Sequence, residues 1–79
     1  MARNAKPHVV ATFHTTTAAL AMQDAGKRAG LRGRLAPIPR QLSAGCGFAW
    51  REPADNEAAL RAAIEHAGIE VEALVALDL

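Results

Sequence analysis

The side chain best suited to chemistry in this sequence is its single cysteine, Cys46. It stands between Gly45 and Gly47, so neither neighbour carries a side chain that would block a bulky reactant. A thiolate is a nucleophile that can attack a sulfur atom of a partner molecule and form a covalent bond with it. The alternative interpretation is structural, because free cysteine is among the most buried residue types and Gly-Cys-Gly also suits a tight turn.

Several polar residues could assist an anionic sulfur on Cys46, namely Arg40, Ser43, His14, Thr15 and Thr16. A guanidinium or a hydroxyl group stabilises a thiolate directly, and an imidazole can act as a base or as an ion-pair partner. Arg40 and Ser43 precede Cys46 in the same loop, whereas the other three lie far back in the chain. They can help only if the fold brings them to the cysteine.

Hydrophobic periodicity predicts four strands and two helices. Strand-type patterns cover 9–13, 31–38, 46–51 and 69–77, and helical spacing covers 15–29 and 53–67. Thr15, Thr16 and Thr17 offer hydroxyls for a helix N-cap, while Gly30 and Gly68 are helix stop signals. A glycine inside the first helix, Gly26, is expected to weaken it.

The element order β-α-β-β-α-β predicts an α+β fold, the ferredoxin-like two-layer sandwich with a four-stranded antiparallel sheet and both helices on one face. We expect one domain over residues 8–79 after a short flexible leader at 1–7. In this topology the end of the first strand, the start of the first helix and the loop before the third strand share one end of the sheet. Cys46 should therefore lie near His14 and Thr15, where the positive end of the helix dipole favours a thiolate.

Four segments of the chain are characteristic when taken together: the threonine-rich helix start, Pro37-Ile38-Pro39-Arg40, Ser43-Ala44-Gly45-Cys46-Gly47-Phe48-Ala49 and His66-Ala67-Gly68-Ile69. With these segments the chain resembles a small bacterial domain family of unknown function, the putative selenium/sulfur (Se/S) carrier protein-like family. The glycine-bracketed cysteine after a proline-arginine loop is the most specific of them. The resemblance covers nearly all of residues 8–79.

The resemblance implies a carrier that holds a persulfide or a selenium equivalent on Cys46 and passes it between enzymes. Its partners would be a donor, such as a cysteine desulfurase, and an acceptor enzyme of sulfur or selenium metabolism. Such a protein is a non-enzymatic carrier rather than a catalyst, and it needs no cofactor besides the covalently held atom. We expect no metal site, because the spacing of the three histidines and Cys46 matches none of the compact ligand pairs that zinc favours.

Two other functions stay open from the residues. Ferredoxin-like sheets also bind single-stranded RNA by stacking bases on aromatic residues of the first and third strands. Here Phe48 and Trp50 are expected to face the core instead, because few large residues are available to build it. The third possibility is an oligomerising regulatory domain in which Cys46 is inert.

The composition of the chain also bears on disulfide bonds, on membrane binding and on assembly. With one cysteine the chain has no intramolecular disulfide, and its apolar runs are far shorter than the roughly 20 residues that span a bilayer. We therefore expect a cytoplasmic protein that does not bind membranes. Because much of the apolar content is alanine, the core should be small. A homo-oligomer is expected, formed through an uncovered sheet face carrying Leu74 and Ala76.

Overall fold

The computed structural model of the protein describes residues 6–42 and 45–79. In chain order the elements are β1 (Pro7–Thr12), α1 (Thr16–Ala29), β2 (Arg34–Pro37), β3 (Phe48–Pro53), a short 3-10 helix (Ala54–Asn56), α2 (Glu57–Ala67) and β4 (Ala73–Asp78). The strands form one sheet in the order β2-β3-β1-β4, with every neighbouring pair antiparallel. Side chains of both helices enter one core on one face of the sheet. The predicted ferredoxin-like α+β sandwich is confirmed.

Both helices end where the sequence predicts. Gly30 and Gly68 adopt left-handed φ values of 69° and 66°, which closes each helix with an αL cap. At the start of α1 the Thr15 hydroxyl accepts a hydrogen bond from the Ala18 backbone N–H at 3.1 Å. The start of the second helix differs from expectation, because Pro53 is the last residue of β3 and the regular helix begins at Glu57.

The strands are displaced from the predicted ranges at their ends. β1 begins at Pro7, and before it the backbones of Lys6 and Leu79 exchange two hydrogen bonds of 2.9 Å. The third strand begins at Phe48 rather than at Cys46, because Gly47 turns the chain with a φ of 76° and its carbonyl accepts from the Ile38 N–H. Cys46 therefore lies in a turn, outside the sheet.

The core lies between the sheet and the helices, with Trp50 at its centre. The indole is only 4% exposed, and Phe13, Met22 and Leu60 are fully buried around the same cluster. A Cβ on Gly26 would overlap the Cη2 atom of Trp50, so Gly26 is where the ring packs against α1. Gly26, which was expected to weaken the helix, is thus the residue that lets α1 pack closely against Trp50.

Phe48 departs from the predicted core. It lies on the same side of β3 as Trp50, yet it is 43% exposed. The physical reason is its place at the start of the strand, directly after the Gly47 turn, where the core cluster does not cover it. The expectation of burial is confirmed for Trp50 and wrong for Phe48.

The face of the sheet away from the helices, called here the open face, carries a different set of residues from the one expected. Leu74 pairs with Ala11, and Ala11 is a core residue, so Leu74 and Ala76 face the helices. The expectation that these two residues lie on the open face is wrong, although Ala76 itself is exposed. The β4 residues on the open face are Ala73, Val75 and Leu77. Assembly of the chain into a homo-oligomer stays a prediction.

Candidate functional site

The turn between β2 and β3 presents Cys46 at one end of the sheet. Gly45 and Gly47 on either side are exposed, and the thiol itself is half-buried, with part of its surface against the core cluster. The Phe48 backbone N–H approaches the Cys46 Sγ at 3.4 Å, and the thiol lies 3.3 Å from the Phe48 carbonyl oxygen. A neutral thiol satisfies both contacts, by accepting from the N–H and donating to the carbonyl.

The predicted neighbourhood of the cysteine is present at the level of the backbone. Gly45 lies against the end of β1, where a Cβ would come within 2.9 Å of the His14 carbonyl oxygen. Glycine is therefore required for the turn to approach this closely. Among the described hydrogen bonds none joins the imidazole of His14 to the Cys46 thiol, and the His14 side chain is exposed.

The two threonines follow His14 directly. The hydroxyl of Thr15 is the N-cap of α1. The backbone carbonyl of Thr15 accepts a hydrogen bond from the Ala19 N–H at 3.2 Å. Thr16 is the exposed first residue of the helix. The first turn holds no acidic residue, so no fixed negative charge opposes the positive end of the helix dipole.

The loop that precedes Cys46 contains the other two predicted residues. Arg40 is exposed in a turn closed by a hydrogen bond from the Leu42 N–H to the Pro39 carbonyl, and it forms no ion pair within 6–42 and 45–79. Ser43 lies outside the described residues. The described polar contacts of the thiol are therefore with the Phe48 backbone, and the supporting roles of Arg40 and Ser43 stay predictions.

Comparison with known protein families identifies the chain. The family model described as "Putative Se/S carrier protein-like" matches residues 8–76, which include both helices, the Cys46 turn, β1 from its second residue and β4 as far as Ala76. The chain belongs to this family. No curated protein matches it, and no solved structure does. A carrier-like family implies partner enzymes in general.

A second feature of this Se/S carrier-like chain, absent from the sequence prediction, is the buried carboxylate of Glu52. The residue is fully buried on the helix side of β3. Its oxygens accept four hydrogen bonds, from the backbone N–H groups of Arg32 and Gly33, each at 3.0 Å, from Trp50 Nε1 at 2.8 Å and from Asn56 Nδ2 at 2.7 Å. Glu52 holds the start of β2 and the start of α2 to the sheet.

One feature of the sequence indicated that Glu52 is buried, namely its spacing from Trp50. It stands two residues after Trp50 in a strand, so it had to share the buried face with the indole. Hydropathy alone places an acid at the surface, which is why this position was missed. With all four lone-pair directions taken by donors of the chain itself, Glu52 is a structural group and not a binding group.

Three further features are missing from residues 6–42 and 45–79: a cluster of metal ligands, a membrane-spanning helix and an aromatic platform on the open face. No group of three or more His, Cys, Asp or Glu side chains in those segments is close enough to hold a metal ion. Their helices include none that is both long enough and apolar enough to cross a membrane. The aromatic platform that stacking of RNA bases would need is missing from the open face, because Trp50 is in the core and Phe48 lies on the helix side.

Proposed function

We propose that this protein carries a sulfur or selenium atom covalently bound to Cys46. The observation that carries the proposal is the place of the thiol: it is the only cysteine of the chain, in a turn whose two glycines are exposed, in a member of the Se/S carrier-like family. Because a core cysteine needs no such opening, the turn favours a reactive group over a structural one.

Loading is a thiol exchange without net oxidation. The Cys46 thiolate attacks the outer sulfur of a persulfide on a donor enzyme, the sulfur–sulfur bond of the donor breaks, and the donor cysteine leaves as a thiolate. The outer sulfur now forms a new sulfur–sulfur bond with Cys46. A nucleophile on an acceptor enzyme removes it by the same step in reverse. Selenium follows the same scheme, with selenium as the outer atom.

One contact of Cys46 suits a negative sulfur. The Phe48 N–H continues to donate to the sulfur after the thiol loses its proton, whereas the hydrogen bond to the Phe48 carbonyl is made only by the thiol. The start of α1, Arg40 and Ser43 would add further stabilisation of a negative sulfur. The bare backbone at Gly45 and Gly47 leaves space for the loaded cysteine of a partner such as a cysteine desulfurase. We place the exchange in the cytoplasm, where thiols stay reduced.

Intact-protein mass spectrometry under non-reducing conditions tests the proposal. After incubation with a cysteine desulfurase and cysteine, the wild-type protein should gain the mass of one sulfur atom, and dithiothreitol should remove it. Cys46→Ser should gain nothing. Because a serine hydroxyl can also accept from the Phe48 N–H and donate to the Phe48 carbonyl, the variant should melt within a few degrees of the wild type.

A desulfurase reaction without cysteine is the matched control for adducts that arise in handling. The carrier function is wrong if wild-type protein gains no sulfur from cysteine and no selenium from selenocysteine supplied in the same way. It is equally wrong if Cys46→Ser gains as much as the wild type, since the variant has no thiol left.

A further inference from the structure

The open face carries an unusual pair of charges at the end of the sheet opposite to Cys46. Arg34 of β2 and Arg51 of β3 are direct partners in the antiparallel register, so both side chains leave the sheet on the same side. Partner residues of this kind have Cβ atoms about 5 Å apart, and like charges at that spacing repel each other. The fold keeps this pair although it costs stability.

No carboxylate of the described chain compensates the two arginines. The strand residues of the open face include no Asp or Glu, and neither arginine forms an ion pair within 6–42 and 45–79. The two acids that follow Arg51 in the sequence are committed elsewhere, since Asp55 pairs with Arg32 and the Glu52 carboxylate faces the core with its four donors. Both guanidinium groups therefore have hydrogen-bond donors to spare.

A shallow depression of about 340 Å³ lies at this pair. It is lined by His8, Arg32, Gly33, Arg34, Arg51 and Pro53. Gly33 is indispensable to its shape, because a Cβ there would collide with the Arg51 carbonyl oxygen and the Glu52 carboxylate. His8 lies at the rim, and its Nδ1 donates to the Lys6 carbonyl at 2.8 Å, so a neutral ring has no N–H left for an anion and the donors of the depression are those of the arginines.

The geometry points to a binding site for a phosphate group on this face, formed by Arg34 and Arg51 with His8 at its rim. Two guanidinium groups offer two positive charges and several N–H donors, which match the charge and the oxygens of a phosphate dianion. A single carboxylate, with one charge and two oxygens, would leave one arginine uncompensated. The depression has no Phe, Tyr or Trp in its lining, so a nucleobase finds no stacking partner there and the phosphate itself is recognised.

Titration of the full-length protein with inorganic phosphate, followed by amide NMR at constant ionic strength, tests this site. The amides of His8, Gly33, Arg34 and Arg51 should shift together and saturate. In the double variant Arg34→Gln/Arg51→Gln the apparent affinity should fall by roughly tenfold or more, because hydrogen bonds to a charged partner are lost. The variant should melt at a higher temperature than the wild type, since the repulsion between the two arginines is gone.

Arg28→Gln is the matched control, because Arg28 is also an exposed cation but is paired with Asp24 on α1. It should bind phosphate as the wild type does. Adenosine 5′-monophosphate should shift the same amides as phosphate if the phosphate group is what is bound. Absence of saturable shifts, equal binding by the double variant, or binding only to a single-stranded oligonucleotide would each overturn the inference. Sulfur loading on Cys46 is unaffected by the double substitution, so the two proposals fail separately.

Discussion

Glu52 shows how a single buried charge can organise a small fold. Two of its hydrogen-bond donors come from the segment before β2, a third comes from the Trp50 ring and the fourth from Asn56 before α2. A buried carboxylate without such partners would be strongly unfavourable. Here the donors replace the lost water, and the carboxylate in turn satisfies backbone N–H groups that the sheet leaves unpaired.

We expect Glu52→Gln to lower the free energy of unfolding by roughly 3 kcal/mol. Each carboxylate oxygen accepts two hydrogen bonds, so the amide nitrogen of glutamine would face donors where the wild type has an acceptor. Guanidinium denaturation measures the loss. Glu57→Gln is the control, because Glu57 forms only an exposed ion pair with Arg61, and the change there should stay below about 1 kcal/mol. Equal effects of the two substitutions would contradict this account of Glu52.

The sequence predicted Cys46 and its glycines as the candidate site, because a reactive residue type between two glycines is visible in the chain itself. Glu52 could not be recognised in the same way. Its burial depends on donors from three separate segments, and these converge only when the strands are in register. The type of a residue indicates which chemistry it can perform. Whether a buried polar group finds hydrogen-bond partners depends instead on the packed fold.

At the scale of elements, the start of α1 and the C-terminal ends of both helices were predictable, whereas the start of α2 and the faces of the strands were not. Thr15, Gly30 and Gly68 act through local backbone geometry, so their roles follow from a few neighbouring residues. Alternation in β4 separates Leu74 from Val75 but does not say which of the two faces the helices. That choice is made by pairing with β1, where Leu74 meets the core residue Ala11.

The contact between α1 and β3 gives a prediction about Gly26. Alanine is the better helix former by about 1 kcal/mol, yet Gly26→Ala should destabilise the protein by about 1–3 kcal/mol because the new methyl group would overlap the Trp50 ring. In a Trp50→Phe background the smaller ring leaves room, and the same substitution should cost much less. Denaturation of the four proteins gives the coupling energy. A coupling energy near zero would show that the Trp50 ring is not what excludes a side chain at position 26.

At the scale of the whole molecule, the thiol and the arginine pair lie towards opposite ends of one sheet. Cys46 lies beyond the end of β1 next to the His14 backbone, whereas the pair Arg34 and Arg51 lies towards the opposite end, on the other face. Residues 25–51 contain six basic residues and no acidic one, but two of the six, Arg34 and Arg51, thus lie away from the thiol. A partner enzyme could reach Cys46 without covering the arginines, and an anion on the open face would leave the turn accessible.

Homo-oligomerisation through the open face is the prediction made at this largest scale. The apolar residues available for such a contact are Val75 and Leu77, and the arginine pair of each copy would lie within the same interface. Because repulsion between the pairs is screened by salt, self-association should strengthen as the ionic strength rises. Sedimentation equilibrium at low and high sodium chloride concentration measures this dependence.

Substitution of Val75 by arginine should abolish the association, since it adds a third positive charge to the open face of each copy. Leu20→Arg on α1 is the control for the added charge, because Leu20 is an apolar residue of the helix layer that is 55% exposed, more accessible than the half-buried Val75. It should leave the salt dependence unchanged. Association that weakens with salt, or that survives Val75→Arg, would show that the copies meet elsewhere. A monomer under all conditions would mean that the open face meets only other molecules.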